Sequence, residues 1–91
     1  MKTVVLDCKK FRTRIRGHKY LAKTLEFPDY YGNNLDALYD CLTELGQRTV
    51  LLKNTDVLRD SDCYGAKILR VIEDAANNNP NILLTESEDD E

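Results

Sequence analysis

Pro28-Asp29-Tyr30-Tyr31-Gly32-Asn33-Asn34-Leu35-Asp36-Ala37-Leu38-Tyr39-Asp40-Cys41-Leu42 is the stretch that decides how this 91-residue chain is read. Pro28 ends any helix before it, because the residue preceding a proline avoids helical backbone. Tyr30-Tyr31-Gly32-Asn33 reads as a turn, with Gly32 free to take positive φ and the asparagines tolerating it. Asn34 is a good N-cap, and the helix it opens is expected to run to about Glu44 and to end at Gly46. At about 100° per residue, Leu35, Leu38, Leu42 and Leu45 share one buried stripe about 80° wide. Asp36, Asp40 and Glu44 then fall near ~100°, ~140° and ~180° from Leu35, on the exposed side.

That acidic stripe is a small burden to its own helix. No cation on the helix stands at i±4 to pair with it, and like charges at that spacing repel by a few tenths of a kcal/mol. Asp36 gains something from the helix dipole in the first turn; Asp40 and Glu44 do not. Carboxylates about 6 Å apart, four residues at about 1.5 Å each, could occupy a groove built for nucleic-acid phosphates. A solvated helix face is the plain alternative. Tyr30 and Tyr31 add a residue type that recurs at protein interfaces.

Outward from this segment the chain alternates short apolar runs with helical patterns. Thr3-Val4-Val5-Leu6-Asp7-Cys8 reads as a strand. Residues 13–25 read as a helix whose apolar stripe is Phe11, Ile15, His18, Ala22 and Leu25. Arg12, Arg16, Lys19 and Lys23 lie within about 60° of one another on it. Arg48-Thr49-Val50-Leu51-Leu52-Lys53 is a second strand, and residues 54–62 a polar loop with a helical turn near Val57 and Leu58. Residues 64–77 make a third long helix, with Ile68, Leu69, Ile72, Ala75 and Ala76 inward. Asn77-Asn78-Asn79-Pro80 stops it, and residues 81–85 form the last strand. The order predicts an α/β fold: a small three-stranded parallel sheet with three main helices packed on it, joined by right-handed crossovers.

Charge is segregated behind a net −3. Residues 1–27 carry +6, residues 28–47 carry −4, residues 48–85 balance, and residues 86–91 carry −5. One domain over residues 1–85 is expected, followed by a disordered acidic tail over 86–91. The aliphatic runs are too short to span a bilayer, so no membrane partner is expected. Met1-Lys2-Thr3-Val4-Val5-Leu6-Asp7 lacks the apolar stretch of a signal peptide, which points to the cytoplasm. Cys8, Cys41 and Cys63 are odd in number and widely spaced, which fits free thiols in a reducing compartment better than zinc ligands or disulfides. His18, on an apolar stripe, reads as a satisfied core residue. No catalytic spacing and no phosphate-binding glycine loop stand out, so no catalytic residue, metal or cofactor is expected.

The run PDYYGNNLDALYDCL, with turn, cap, leucine stripe and two aspartates in register, closely resembles the signature of the barstar family, small intracellular inhibitors of ribonucleases. The resemblance continues more loosely over residues 1–85. It implies a barstar-like sheet and a non-enzymatic protein whose second helix and preceding turn plug the active site of a basic ribonuclease. Carried over by position, it makes Asp40 the central aspartate in the enzyme's phosphate site. Asp36 and Tyr30 flank it, and Asn34 and Gly32 contribute from the turn. With one residue of gap, Asp74 on the third helix aligns with an acidic family position, and is one methylene shorter than the usual Glu. Tyr39 stands where Trp is common in the family, and this chain has no Trp.

The expected partner-binding set is Tyr30, Tyr31, Gly32, Asn34, Asp36, Tyr39, Asp40, Glu44 and Asp74. The chain is expected to be a monomer when free. Direct nucleic-acid binding is not expected; the alternatives kept are a nucleic-acid-binding module using the basic first helix and a regulatory module for another basic protein.

Overall fold

The computed structural model describes residues 2–59 and 62–86. Strand β1 (Lys2–Asp7) leads through a 3-10 turn to helix α1 (Arg14–Thr24) and then α2 (Leu35–Thr43). Strand β2 (Arg48–Lys53) follows, then the short α3 (Asp56–Arg59), α4 (Tyr64–Asn78) and β3 (Ile82–Glu86). The sheet is three-stranded and parallel, in the order β1-β2-β3. The chain is thus the α/β fold expected from its alternation of strands and helices.

Register explains which strand residues are buried. Val4 pairs with Val50, Leu6 with Leu52, and Val50 with Leu84. Side chains alternate across a strand, so Val4, Leu6, Val50 and Leu52 enter the core on one face. Val5 and Leu83, on the other face, stay exposed. At the outer edge of β1 the Asp7 N–H donates to Tyr20 Oη at 2.9 Å. That contact from α1 satisfies one edge donor. Cys8, expected to end the first strand, instead enters the 3-10 turn, where Asp7 accepts from the Lys9 N–H at 3.0 Å.

Helix α1 is rolled relative to its apolar pattern. Ile15 is 80% exposed, while Gly17, His18, Leu21 and Leu25 are buried. The inward face lies roughly 70° from the one periodicity picks, at about 100° per residue. The cause is close approach. A Cβ on Gly17 would lie 2.7 Å from Ile68 Cδ1. A Cβ on Gly65 would lie 2.4 Å from the Phe11 carbonyl oxygen and 2.8 Å from Arg12 Cα. The Gly65 N–H donates to Arg12 O at 3.0 Å. Two positions without side chains let α4 press against α1 and the segment before it. Seating the apolar residues against glycine turns Ile15 out.

Three turn assignments shift. Asn33, not Gly32, takes the positive φ (55°). Gly32 is small for another reason: a Cβ there would sit 3.2 Å from Asn34 Nδ2. Gly46 has no positive φ and does not make the end of α2. Glu86, assigned to the tail by its charge, is the last residue of β3, opposite Leu52. Its carboxylate accepts from Thr55 Oγ1 at 3.2 Å and from Arg59. The expectation for 87–91 lies outside the described residues.

Candidate protein-binding face

Helix α2 is fixed at both ends. At its start Asn34 Oδ1 accepts from the Ala37 N–H at 2.8 Å, and Asn34 Nδ2 donates to Gly32 O at 3.3 Å. One side chain caps the helix and ties it to the turn before it. At the far end the last carbonyls need partners. Asn79, 4% exposed, supplies them: its Nδ2 donates to Leu42 O at 2.9 Å and Leu45 O at 3.1 Å. Its Oδ1 accepts from the Asn81 N–H at 3.0 Å. On the α4 side, Asn78 Nδ2 donates to Tyr39 Oη at 2.8 Å. The side chain of Asn79 is a structural device that the local pattern, a run of asparagines before Pro80, marks only as a helix stop.

The leucine stripe faces inward, with Leu38 and Leu42 fully buried and Leu35 and Leu45 packed against the core. Asp36, Asp40 and Glu44 are exposed. Glu44 is the C-cap rather than a helical residue. Among the described residues no ion pair holds any of the three. Cys41, on the flank between the last two, reports their field: burial, then Glu44 and Asp40, push its thiol pKa up.

The two adjacent tyrosines part company. Tyr30 is 87% exposed. Tyr31 is buried, its ring centroid 4.8 Å from that of Phe27 and its hydroxyl 2.6 Å from His18 Nδ1. His18 Nε2 lies 2.9 Å from Tyr64 Oη. Its ring therefore links α1 to the turn and to α4, with both ring nitrogens in reach of a tyrosine hydroxyl. Desolvation, with Arg14 adding repulsion, pulls the His18 pKa below 6.5, and burial raises that of Tyr31. Tyr31 thus anchors the turn from inside while Tyr30 is presented outward.

Between α2 and the loop over residues 26–32 runs a groove of about 460 Å³. Tyr30, Gly32, Asp40 and Glu44 line it, together with Glu26. Asp36 does not line it and extends the acidic surface along the helix instead. Tyr39 is half-buried on the α4 side, and Asp74 is exposed one turn before Asn78. So eight of the nine expected residues form a band over the turn, the groove, the outer face of α2 and the near end of α4, while Tyr31 is buried beneath the turn.

Glu26 is absent from the expected set. It follows α1 in the left-handed region (φ 60°), and the Phe27 N–H donates back to Ala22 O at 2.9 Å. This is a helix ending that usually employs glycine. Glutamate there gives no recognisable stop signal in sequence.

The family model for barstar (barnase inhibitor) matches residues 1–87. A Bacillus subtilis (strain 168) protein named "Putative ribonuclease inhibitor YrdF" is 38% identical over 78 residues, covering 82% of this chain and 86% of that protein. The chain belongs to the barstar family.

Proposed function

We propose that this protein is a non-enzymatic, cytoplasmic inhibitor of a basic ribonuclease, and that it blocks the enzyme's active site with α2 and the turn before it. Asp40 takes the place of a substrate phosphate at the centre. Glu44 and Asp36 lie to either side of it along the helix, with Tyr30 beside the groove and Tyr39 and Asp74 at the rim. Family membership and the relative's name support inhibition of a ribonuclease. The observation that carries the binding mode is the row Asp36, Asp40 and Glu44, exposed and, among the described residues, without a paired cation, on a helix held at both ends.

The physics favours such a device. A helix capped from both ends loses little conformational entropy on docking. An acidic face opposite a basic cleft raises the association rate, and the gain falls with salt. A ribonuclease cleft must bind phosphates, so it carries cations that a protein without counter-charges would leave desolvated and unpaired.

Asp40→Ala, titrated against the cognate ribonuclease in an RNA-cleavage assay, tests this. Removing one member of a buried charge pair costs about 3–5 kcal/mol, so inhibition should weaken by at least about tenfold, which is 1.4 kcal/mol. Inhibition within tenfold of wild type would sink the assignment of Asp40.

A further inference from the structure

On α1 and the turn before it lies a second charged surface of opposite sign. Lys9 and Lys10 from the 3-10 turn, Arg12, and Arg16, Lys19 and Lys23 from α1 surround one groove of about 700 Å³. All six are exposed. Of the remaining lining residues, Thr13, Tyr20 and Cys63, none is acidic. The carboxylate that Lys9 and Lys10 feel, Asp7, is engaged elsewhere: it accepts from the Lys9 backbone N–H and from Asn54 Nδ2 at 2.9 Å. The helical stripe alone is a series of charges on one helix face. The fold adds two lysines from a different element and makes the surface concave.

We infer that this groove is a binding site for a phosphate chain, in the form of single-stranded RNA held by its backbone. Three features favour RNA over an acidic protein segment. Arg16 to Lys23 spans about 10 Å at 1.5 Å per residue, and Lys9, Lys10 and Arg12 lengthen the row. Successive cations therefore meet successive phosphates rather than one carboxylate. Protein interfaces are built on buried apolar or aromatic anchors, and Tyr20, half-buried and already bonded to the β1 edge, is the one aromatic here. Nucleic-acid interfaces are instead more polar and far more positive. This groove shares no lining residue with the groove beside α2, although Lys19 and Lys23 also line a neighbouring cavity with Asp29 and Tyr31; RNA binding here does not depend on the inhibitor reading.

The experiment is fluorescence anisotropy with a labelled single-stranded RNA on the order of ten nucleotides, a length within the usual span of such grooves. Binding at low salt should weaken as salt rises, with a log–log slope of about −2 to −3 if three or four phosphates are neutralised. Lys19→Glu with Lys23→Glu should weaken it at least tenfold. Lys19→Gln with Lys23→Gln should weaken it less, and serves if the reversed pair folds poorly by circular dichroism. Arg70→Glu, an exposed cation on α4, should leave it unchanged. Inorganic polyphosphate should displace the RNA, since phosphates alone are recognised. No binding at low salt, no salt slope, an undiminished Lys19/Lys23 variant, or failure of polyphosphate to compete would each overturn the proposal. So would a groove-dependent self-association in sedimentation velocity without RNA binding, which would make the occupant the acidic band of a second copy.

Discussion

Helices α1 and α2 are alike in plan and opposite in execution. They are 11 and 9 residues long, and each turns a single sign of charge outward. Yet α2 is held by directed hydrogen bonds, from Asn34 at one end and Asn79 at the other. At the start of α1, Thr13 makes no side-chain cap bond, and the helix is followed by a strained Glu26; it is held along its length instead, by hydrogen bonds from His18 and Tyr20 and by the close approaches at Gly17 and Gly65. The difference teaches where the molecule spends its polar specificity. The helix proposed to meet the enzyme has asparagine side-chain bonds at both its ends, whereas α1 has side-chain bonds in mid-helix, from His18 and Tyr20, beside its close glycine contacts.

If that contrast is right, the largest effect on stability comes from the glycine contacts. Gly65→Ala should cost about 3 kcal/mol, the upper range of overpacking, because the added Cβ meets backbone at 2.4 Å. Gly17→Ala should cost clearly less: its closest neighbour is the end of the Ile68 side chain, which can rotate, and alanine regains up to about 1 kcal/mol of helix propensity. Equal losses for the two in urea unfolding would break the distinction between fixed and yielding neighbours.

The polar anchoring of α2 is tested next. Asn79→Ala removes the amide donor shared by Leu42 O and Leu45 O, of which Leu42 O keeps the Leu45 N–H at 3.3 Å, and should cost about 1–3 kcal/mol. Gly46→Ala, with nothing within 4 Å of the added Cβ and no positive φ, should stay within about 0.5 kcal/mol. The reverse order would return the end of α2 to the glycine.

Smaller again is the end of α1. Glu26→Gly removes a left-handed non-glycine residue and should stabilise by about 0.5–1 kcal/mol, the cost of that conformation less the extra freedom of glycine when unfolded. A drop in melting temperature would show that the Glu26 side chain, which lines the groove, has contacts worth more than the strain.

The smallest effect is a pH dependence. Burial lowers the His18 pKa in the folded state, so the unfolded chain binds more protons below 6.5. The stability tied to neutral His18 is therefore complete above 6.5 and is lost as pH falls toward the folded-state value. His18→Gln should flatten the difference between unfolding at neutral and mildly acidic pH. A variant with an unchanged slope would remove His18 as its source.

The comparison of α1 with α2 also shows which features were legible in the sequence. In α2 four leucines and a single side-chain cap made the helix, its buried stripe and its exposed acids readable, because each is a relation between residues at most a few turns apart. In α1 the same rule placed Ile15 inward and failed, because the roll depends on close approaches to α4, of Gly17 to Ile68 and of Gly65 to the segment before the helix. Tyr30 and Tyr31 are indistinguishable as neighbours in sequence; the hydroxyl of one is taken by His18, thirteen positions earlier.

From the sequence alone came the element order, the parallel sheet and the acidic row, since hydrophobic periodicity and capping act locally. Tertiary structure alone decided which tyrosine faces out, what closes the far end of α2 and how lysines from two elements join in one basic groove. Those outcomes rest on close packing and on hydrogen bonds such as Asn79 to Leu42, 37 positions apart, for which a chain carries no local periodic mark.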